Sequence, residues 1–587
     1  MSGICGFVGD ADPDVLRLML AAIAYRGDRS DTALDPGVGL GYRHWADRPG
    51  KSPGIHRDGP HLVACAGALV PAVPSPAACL REWLQDESAL ATLDGAFAAA
   101  WWDAGSQTLT LVRDPFGVRS LYHVTHAGVF YFASELKQLL AIPGLPVAVN
   151  HAALHKYLTF SFVPGDDVPV QGVRRLLPGR VGRWQRGTLR SEPYFELREA
   201  IDPRLEDRKR ALRHIRSRCR AAVERRLLGE PEVALALSGG IDSSAVALWL
   251  TELGVRVRAF SLDFGARSVE RAQADTVAQQ LQLGLELVPV DAARLAAVLD
   301  DLVWKLDLPF GDPVTGPQYL LAREARQAGQ SVLFNGEGGD QLFGGWTSKP
   351  MISAELYADL YGEDTREETY LRSYHRFYGR EEQLYTPEFR AQVGGPGQRR
   401  AHLRPYLESA AAGTFLNRIR LADISLKGMQ NILPRAERVA NAFALDARMP
   451  LFDRALAEAS FHLPPQLKLH GATEKYVLKL ILNRQLPREI VWRRKFGMSV
   501  PITDLVLAEP LAARAHELLG SASLRRRGLF REDYVNALLR GQHEPSETRR
   551  RRVGERVWAL LMLEAWLRVF IDGRGREPGT VAPAAHP

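Results

Sequence analysis

A short apolar run that ends in glycines is the segment of this chain best suited to bind a charged ligand. Residues 233–244 read V-A-L-A-L-S-G-G-I-D-S-S, a predicted strand followed by a Ser-Gly-Gly turn. Ile241 then begins a helical pattern that we expect to end near Leu253. Glycines let backbone N–H groups approach a phosphate, and the helix dipole adds positive potential there. The segment therefore predicts a phosphate-binding site.

The spacing within this loop indicates which phosphates it would bind. The loop lacks the G-x-x-x-x-G-K-S/T pattern of a Walker A loop. Its S-G-G-x-D-S pattern resembles the pyrophosphate loop of enzymes that cleave ATP between the α and β phosphates. The alternative is an ordinary glycine-containing turn between a strand and a helix.

A second predicted strand also leads into a glycine-rich loop. Residues 332–345 read V-L-F-N-G-E-G-G-D-Q-L-F-G-G. Asp242 and Asp340 each follow a predicted strand's carboxyl end, and in an open parallel sheet these ends border the ligand crevice. Mg²⁺ takes one or two carboxylates together with phosphate oxygens. We therefore expect both aspartates to bind Mg²⁺ with ATP, a role compatible with Asp340 as a helix N-cap.

Composition limits the class of protein. The 587 residues, 46% hydrophobic and 24% charged, predict a globular protein of two or more domains. Four cysteines without a C-x-x-C pair suggest neither a disulfide framework nor a zinc knuckle. No targeting segment or long apolar run is seen, so we expect a cytoplasmic protein without a membrane partner. The net charge of +7 is concentrated in runs such as 525–527 and 549–552. We interpret these runs as solvated helix faces, and polyanion binding is the alternative.

The pattern of apolar and turn-forming residues changes near residue 205. Before it, short apolar runs alternate with Gly, Pro and Asp turns, which favours a strand-rich layered domain. The strands predicted there include 61–65, 108–112, 129–133 and 181–184. After it, helices alternate with apolar strands, which predicts a parallel sheet covered on both faces. These strands are 233–237, 257–262, 285–290 and 331–334.

The remainder of the chain is predicted to be helical. Beyond Gly345 we expect helices only, ending in an amphipathic helix over 552–570. The expected domains are 1–205 and 206–572, followed by a disordered Gly/Pro/Ala tail over 573–587.

Together the two loops and four later motifs resemble the asparagine synthetase family. The later motifs are F-A-L-D-A-R-M-P-L-F-D (443–453), E-K-Y-V-L-K (474–479), L-P-R-E-I-V-W-R-R-K-F-G (486–497) and V-W-A-L-L-M-L-E-A-W (557–566). The resemblance implies an α+β N-terminal-nucleophile (Ntn)-type amidohydrolase sandwich, followed by an α/β PP-loop synthetase domain with a helical extension. It also implies a reaction: a carboxylate attacks the α-phosphate of ATP, and an amine then displaces AMP from the acyl-adenylate.

The resemblance implies roles for residues that match the family's motifs. ATP or its pyrophosphate would be bound by Leu235, Leu237, Ser238, Gly239, Gly240, Asp242, Ser243, Leu262, Gly336 and Glu337. The three leucines would flank adenine, and Asp242 and Asp340 would bind Mg²⁺.

Three further positions would be catalytic. Lys475 would neutralise phosphate charge, and Lys495 would stabilise the oxyanion formed when the amine adds, an effect worth about 3–4 kcal/mol. Both are surface lysines in the alternative interpretation. Asp446 stands where the family has glutamate and would contact the substrate amine or take its proton. Its shorter side chain, like the altered segment 436–442, suggests a differently shaped acceptor pocket.

The N-terminal half departs from the family's glutamine-hydrolysing pattern. The start M-S-G-I-C-G-F-V-G puts Ser2 in place of the nucleophilic cysteine, whereas a rival register uses Cys5 after removal of four residues. Residues 26–29 read R-G-D-R where the family has R-G-P-D, and residues 66–68 read A-G-A where the family has N-G-E. His44 occupies the position of the arginine that would bind the glutamine carboxylate. We therefore expect a folded but catalytically silent amidohydrolase domain.

A synthetase without a glutaminase needs another amine. When a substrate carries its own amine, the amine and the acyl-adenylate meet at a high effective concentration. β-Lactam synthetases and lasso peptide cyclases resemble this arrangement. The extra sequence over 346–419, rich in Tyr and Arg, favours a peptide. The preferred hypothesis is a lasso peptide cyclase acting on a leader-cleaved core peptide, with a peptidase or leader-binding protein as a partner.

Other hypotheses stay open. One is a β-lactam synthetase-like or ammonia-using ligase that acts on a small amino acid. A second is a scaffold that binds nucleotide without turnover, against which the intact Asp242, Asp340, Lys475 and Lys495 weigh. A third is a tRNA-modifying enzyme; the C-terminal motifs weigh against it, so no nucleic-acid partner is expected.

Overall fold

The computed structural model describes residues 2–46, 54–71, 73, 76–345, 348–356, 366–374, 376–394, 397–493, 500–542 and 547–579. Within these ranges the strands form three sheets. The strands are β1 Gly3–Val8, β2 Arg29–Asp35, β3 Val38–His44, β4 Ile55–Asp58, β5 His61–Leu69, β6 Gly95–Asp103, β7 Thr108–Arg113, β8 Tyr122–His126, β9 Val129–Ala133, β10 Arg174–Arg175, β11 Arg180–Gln185, β12 Thr188–Pro193, β13 Glu232–Ala236, β14 Arg256–Asp263, β15 Gly284–Pro289, β16 Val332–Phe334 and β17 Asp446–Arg448.

Two antiparallel sheets form a sandwich in the N-terminal half. Their strand orders are β10-β8-β9-β1-β3-β2 and β12-β11-β7-β6-β5-β4. Alternate side chains of both sheets meet in a buried apolar layer that includes Ile4, Leu40, Leu62, Ala98, Trp102, Leu111 and Phe132. Helices Asp14–Ala21 and Leu136–Leu140 pack on the outer face of the first sheet, and helix Pro76–Gln85 packs on β5 of the second. The predicted layered sandwich is confirmed.

A parallel sheet organises the second half, with the order β15-β14-β13-β16-β17. The four strands predicted from apolar runs are present, and their carboxyl ends lie at one edge. The fifth strand, β17, corrects the expectation that only helices follow Gly345. It pairs with β16 in parallel, with Val332 opposite Asp446.

Helices cover the parallel sheet and form the C-terminal extension. The α-helices are Asp14–Ala21, Pro76–Gln85, Glu87–Leu90, Leu136–Leu140, His151–Phe160, Arg208–Leu227, Ile241–Glu252, Arg271–Leu281, Ala292–Leu306, Thr315–Gln327, Gly339–Phe343, Ser348–Leu356, Arg366–Ser373, Glu381–Leu384, Pro387–Val393, Gly397–Ala401, Arg404–Leu407, Phe415–Ala422, Leu433–Asn441, Arg454–His462, Tyr476–Leu482, Arg488–Val491, Ile502–Val506, Leu511–Leu519, Ser521–Arg527, Glu532–Leu539 and Glu547–Trp566. Residues Asp423–Ile432 and Leu567–Asp572 are π-helical. None of the helices described is long and apolar enough to cross a membrane.

The last long helix differs from its prediction. Residues 556–566 are all buried, so this part of helix Glu547–Trp566 is a central core element rather than an amphipathic surface helix. The chain after it also contacts the folded body, since Trp304 Nε1 donates to the Gly575 carbonyl at 3.0 Å. Residues 573–575 therefore pack on the folded body, contrary to the expected disorder, residues 576–579 are exposed, and residues 580–587 lie outside the described ranges.

The basic run 525–527 lies at the surface and is paired. Arg525 contacts Glu532, and Arg527 contacts both Glu564 and Asp572. Arg525 and Arg526 are exposed, as expected for a solvated helix face, whereas the Arg527 side chain is only 13% exposed.

Candidate active site

The first glycine-rich loop connects the centre of the parallel sheet to a helix. Strand β13 ends at Ala236, and helix Ile241–Glu252 begins directly after Gly240. Gly239 has a φ of +68°, and a Cβ atom there would lie 2.4 Å from the carbonyl carbon of Gln273, so only glycine fits. The Ser238 and Ser243 hydroxyls are 3.2 Å apart, which closes the loop around the start of the helix.

The second loop packs against the first without a side chain between them. A Cβ atom on Gly336 would lie 2.4 Å from the Ser243 nitrogen, and one on Gly339 would lie 2.0 Å from Asp242 Oδ1. The glycines of the second loop are therefore needed for close approach. The carboxylates of Asp242 and Asp340 consequently face the same space.

Lys475 joins the two carboxylates. Its Nζ contacts Asp242 Oδ2 and lies 2.9 Å from Asp340 Oδ1. Lys475 has a φ of +52°, in the left-handed region that costs a non-glycine residue energy, and its side chain is 1% exposed. A strained backbone that places a buried ammonium between two carboxylates indicates a functional position.

The two aspartates fit a magnesium ion. Asp242 Oδ1 is buried without a hydrogen-bond partner, and the carboxylates of Asp242 and Asp340 lie on either side of Lys475 Nζ. Two carboxylates placed in this way match the ligands that Mg²⁺ uses beside phosphate oxygens. The donor set therefore fits the predicted Mg²⁺ with ATP.

Substituting Gly339 tests this geometry. Gly339→Ala would push the Asp242 carboxylate away from its position, and we expect ATP–pyrophosphate exchange to fall about 100-fold, as for a misplacement of about 1 Å. Gly284→Ala on β15 is the matched control, because a Cβ atom there meets nothing within 4 Å. Equal exchange rates in the two variants would contradict the role of the close packing.

A cavity of about 350 Å³ opens beside these loops, at the carboxyl edge of the parallel sheet. The predicted residues that line it are Leu237, Ser238, Gly239, Gly240, Asp242, Ser243, Leu262, Gly336, Glu337, Asp340 and Lys475. Leu235 does not line it, because its side chain is fully buried within β13 between β14 and β16. The Leu235 side chain therefore does not face the cavity, and its adenine contact stays a prediction. Lys495 falls within 494–499, outside the described residues, so its role stays a prediction.

Asp446 also lies away from the cavity. It begins β17 opposite Val332, at the amino edge of the sheet rather than the carboxyl edge. Its carboxylate accepts a hydrogen bond from Arg448 at 3.1 Å and lies 3.7 Å from Arg119. Burial would raise its pKa, but these arginines lower the pKa well below the usual range. A carboxylate held ionised at this edge is a poor proton acceptor, so the structure does not support the catalytic role predicted for Asp446.

The cavity includes charged residues that the sequence motifs did not reveal. Arg435 is buried, and it donates to Asp312 at 2.9 Å and lies 3.8 Å from Glu337. Arg376 and Lys427 line the same wall. The altered segment 436–442 lies directly after Arg435, and it was the one signal in the sequence that pointed here.

Helix Leu433–Asn441 connects the cavity to the N-terminal domain. Arg435 lines the cavity, whereas Glu437 accepts hydrogen bonds from Arg26 at 2.8 Å and from Arg119, both in the N-terminal domain. Burial would raise the pKa of Glu437, but Arg26 and Arg119 lower the pKa to about 2. Glu437 is therefore ionised and is a buried counter-ion for the other domain.

A second buried group of charges extends this interface. Arg438 lies 3.0 Å from Asp307, which is 3.3 Å from Lys137 of the N-terminal domain. Lys137 in turn contacts Glu135, which also pairs with Arg26. The two domains are thus joined by alternating charges that are removed from water.

The structure describes the positions at which the N-terminal half departs from the glutamine-hydrolysing pattern. Ser2 is buried, and its Oγ accepts a hydrogen bond from the Gly67 nitrogen at 3.0 Å. Ala66, in β5, offers only a methyl group, and Arg29 is exposed at the start of β2. Arg43 is engaged with the Gly27 carbonyl at 2.7 Å.

The structure disfavours the rival register at Cys5. Cys5 is fully buried in the middle of β1, opposite Gly41 and Ala133. Burial raises the pKa of its thiol well above the ordinary value, which disfavours the nucleophilic thiolate. Removal of four residues would also delete the first part of β1.

A substitution at Ser2 tests the silent-domain interpretation. We expect Ser2→Ala to retain the wild-type rate of ATP–pyrophosphate exchange, and glutamine to stimulate neither protein, because the pocket provides no oxyanion-binding side chain at position 66. Glutamate release is measured in parallel. Release by the wild type that disappears in Ser2→Ala would overturn the interpretation.

Comparisons with known proteins agree with this geometry. The family described as "Asparagine synthase" matches residues 214–568, and "Glutamine amidotransferase domain" matches residues 77–195. "Asparagine synthetase (glutamine-hydrolyzing) 1" of Bacillus subtilis is 24% identical, over 97% of this chain and 98% of that protein. "Amidase chyE" of Penicillium rubens is 31% identical, over 44% of this chain and 41% of that protein.

Among solved structures, glutamine phosphoribosylpyrophosphate amidotransferase from B. subtilis is similar at 13% identity with a TM-score of 0.26, over 49% of this chain and 80% of that chain. The family match covers more than half of the chain and coincides with the loops, the cavity and Lys475. The chain belongs to the asparagine synthase family of ATP-dependent amide-forming ligases.

Proposed function

We propose that this ligase joins the N-terminal amine of a peptide to an Asp or Glu side chain of the same peptide, as a lasso peptide cyclase does. The observation that carries the proposal is the contrast between the two halves. The synthetase cavity keeps its phosphate loops, carboxylates and Lys475, whereas the amidohydrolase pocket has Ser2 beside Gly67 and alanine at position 66. A substrate that supplies its own amine would explain why the synthetase site is intact while the amidohydrolase pocket is altered.

The chain's residues suit the first step, in which a side-chain carboxylate oxygen attacks the α-phosphorus and pyrophosphate leaves. The Ser238 and Gly240 N–H groups donate to the Ser243 and Ser238 hydroxyls, so the start of helix Ile241–Glu252 would supply N–H groups to the departing phosphates. Lys475 adds a buried positive charge next to Asp242 and Asp340. These aspartates would hold Mg²⁺, which supplies further positive charge to the phosphate oxygens when bound.

In the second step the peptide's amine attacks the acyl carbon, AMP leaves with the acyl oxygen, and the amine loses a proton. Holding amine and acyl-adenylate in one molecule makes this step effectively unimolecular. The buried Arg435 and its half-buried partner Asp312 lie on the cavity wall, so they are positioned to orient a substrate there. The proposed partners are a leader-cleaved core peptide and a peptidase or leader-binding protein, and the proposed compartment is the cytoplasm.

The test uses full-length protein, ATP, Mg²⁺ and synthetic peptides that carry a free N-terminus and one internal Asp or Glu. The expected result is AMP and pyrophosphate formation with a peptide product that has lost one water. The N-acetylated peptide should be adenylated without ring closure, and the peptide with Asn for Asp should not react. Products that contain nitrogen from labelled ammonium, or turnover only with a small amino acid, would replace the proposal with the alternative ligases.

A further inference from the structure

One arginine on the wall of the cavity has N–H groups that no described residue accepts. Arg493 lines the cavity just after helix Arg488–Val491, whose buried Ile490 and Val491 line the same wall. The Arg493 side chain is 18% exposed, and its Nη1 is buried without a hydrogen-bond partner. A buried guanidinium nitrogen without an acceptor is rare in folded proteins, because its loss of hydration is not compensated. Such a group at a cavity indicates a ligand that supplies the acceptor.

Other cations of the cavity wall have carboxylate partners within hydrogen-bond distance. They are Arg376 with Glu555, Arg435 with Asp312, and Lys475 with Asp242 and Asp340. Arg493 differs, because its ion-pair partner Glu270 is 3.8 Å from Nη2, too far for a hydrogen bond. Glu270 therefore helps to fix the guanidinium in place without accepting a hydrogen bond from it. What is unused at Arg493 is hydrogen-bonding capacity rather than net charge.

The position of Glu270 places Arg493 beside the first glycine-rich loop. Glu270 directly precedes helix Arg271–Leu281, and both Glu270 and Arg493 line the cavity. Gly239 of the loop packs on the first turn of this helix, since a Cβ atom at Gly239 would lie 2.4 Å from the carbonyl carbon of Gln273. The unused guanidinium therefore lies next to the helix against which the phosphate loop is packed.

We propose that Arg493 binds the β and γ phosphates of ATP and retains the pyrophosphate after the first step. When a carboxylate oxygen attacks the α-phosphorus, the bond from that phosphorus to the bridging oxygen breaks, and its electron pair stays on the pyrophosphate. The planar guanidinium can donate two parallel N–H bonds to phosphate oxygens, which stabilises this negative charge. Lys475, beside Asp242, supplies positive charge from a different element.

The proposal goes beyond the proposed function, because it requires the ATP chemistry of the family but no particular acceptor. The motif that contains Arg493 predicted a role for Lys495 and none for Arg493.

The test measures binding of an ATP analogue, so it needs no acceptor substrate. The analogue is α,β-methylene ATP with Mg²⁺, whose α–β linkage is not cleaved. Isothermal titration calorimetry compares full-length wild type, Arg493→Gln, Arg493→Lys and Arg488→Gln. We expect Arg493→Gln to bind the analogue at least about tenfold more weakly than wild type, because charge-assisted hydrogen bonds are lost. Arg493→Lys should be intermediate, since it keeps the charge without the planar fork.

Arg488→Gln is the matched control and should bind the analogue as wild type does. Arg488 begins the same helix, but it is exposed and does not line the cavity. AMP is the control ligand, because it lacks the β and γ phosphates. Competition with the analogue should give equal AMP affinities for wild type and Arg493→Gln, whereas the affinity for inorganic pyrophosphate should fall in Arg493→Gln.

Equal affinity of wild type and Arg493→Gln for α,β-methylene ATP, or for pyrophosphate, would overturn the proposal. A parallel loss of AMP binding in Arg493→Gln would also overturn it, in favour of a structural role for Arg493 in the cavity wall. Failure of peptide cyclisation by the wild type, together with the expected selective loss in Arg493→Gln, would contradict the proposed function alone.

Discussion

Replacement of Lys475 by methionine is expected to reduce ATP–pyrophosphate exchange by about 10²–10³-fold. The side chain keeps a similar length, so the change removes the charge that neighbours Asp242 and Asp340 and that would stabilise the departing phosphates. Exchange is measured at saturating ATP and Mg²⁺ with a peptide that supports it. Lys209→Met, on an exposed position of helix Arg208–Leu227, is the control and should keep the wild-type rate.

The same variant has a second expected property. Without Lys475 the two carboxylates face each other with no cation between them, and loss of one partner of a buried pair costs about 3–5 kcal/mol. We therefore expect Lys475→Met to have a lower Tm than wild type in EDTA, and Mg²⁺ alone to raise the Tm of the variant more than that of the wild type. An unchanged Tm together with normal exchange would show that Lys475 is dispensable.

Substitution of Glu437 by glutamine should cause a large loss of stability. Glu437 is buried and accepts hydrogen bonds from Arg26 and Arg119 across the domain interface, so its neutralisation leaves two buried guanidinium groups without their shared counter-ion. We expect the free energy of unfolding to fall by about 3–5 kcal/mol. Glu192→Gln breaks an exposed ion pair with Arg183 and should cost less than about 1 kcal/mol. Urea denaturation of both variants measures the difference.

The pH dependence provides an independent check on Glu437. Its pKa is lowered from 4.5 to about 2 in the folded protein. A lowered pKa means that the folded state favours the ionised group, so its contribution is complete above pH 4.5 and is lost as the pH falls towards 2. The stability difference between wild type and Glu437→Gln should therefore shrink over this range. A difference that stays constant would contradict the assignment.

The strands that end in glycine-rich loops were predictable because each is a short apolar run followed directly by glycines. Strands β13 and β16 are buried on both faces and read as short continuous apolar runs, and the glycines after them mark the close approach of backbones. Ser243 and Gly336 could therefore be assigned to one site before the structure was known. Lys475 was recognised from its motif, and its place between the two aspartates agrees with a role near phosphate.

Features that depend on tertiary packing were not predictable in this way. Strand β17 is three residues long and reads Asp-Ala-Arg, so no hydrophobic period marks it, and only pairing with β16 makes it a strand. The motif around Asp446 identified a family position but not its partners, Arg448 and Arg119. Arg376 lines the cavity but belongs to a separate helical region of the chain, and no sequence motif links it to the phosphate loops.

The pairing of β16 with β17 has a consequence for synthesis of the chain. Strand β16 can pair with β17 only after Asp446, about 110 residues beyond Val332, has been synthesised. Non-local pairing of this kind slows folding. The N-terminal sandwich is complete long before, and domains fold as units in the order in which they leave the ribosome. Arg26 and Arg119 therefore lack their shared partner Glu437 until it has been synthesised. We expect the N-terminal domain of the nascent chain to fold first. The edge strand β17, the charged domain interface and the cavity wall at Arg435 should then form together in one late step.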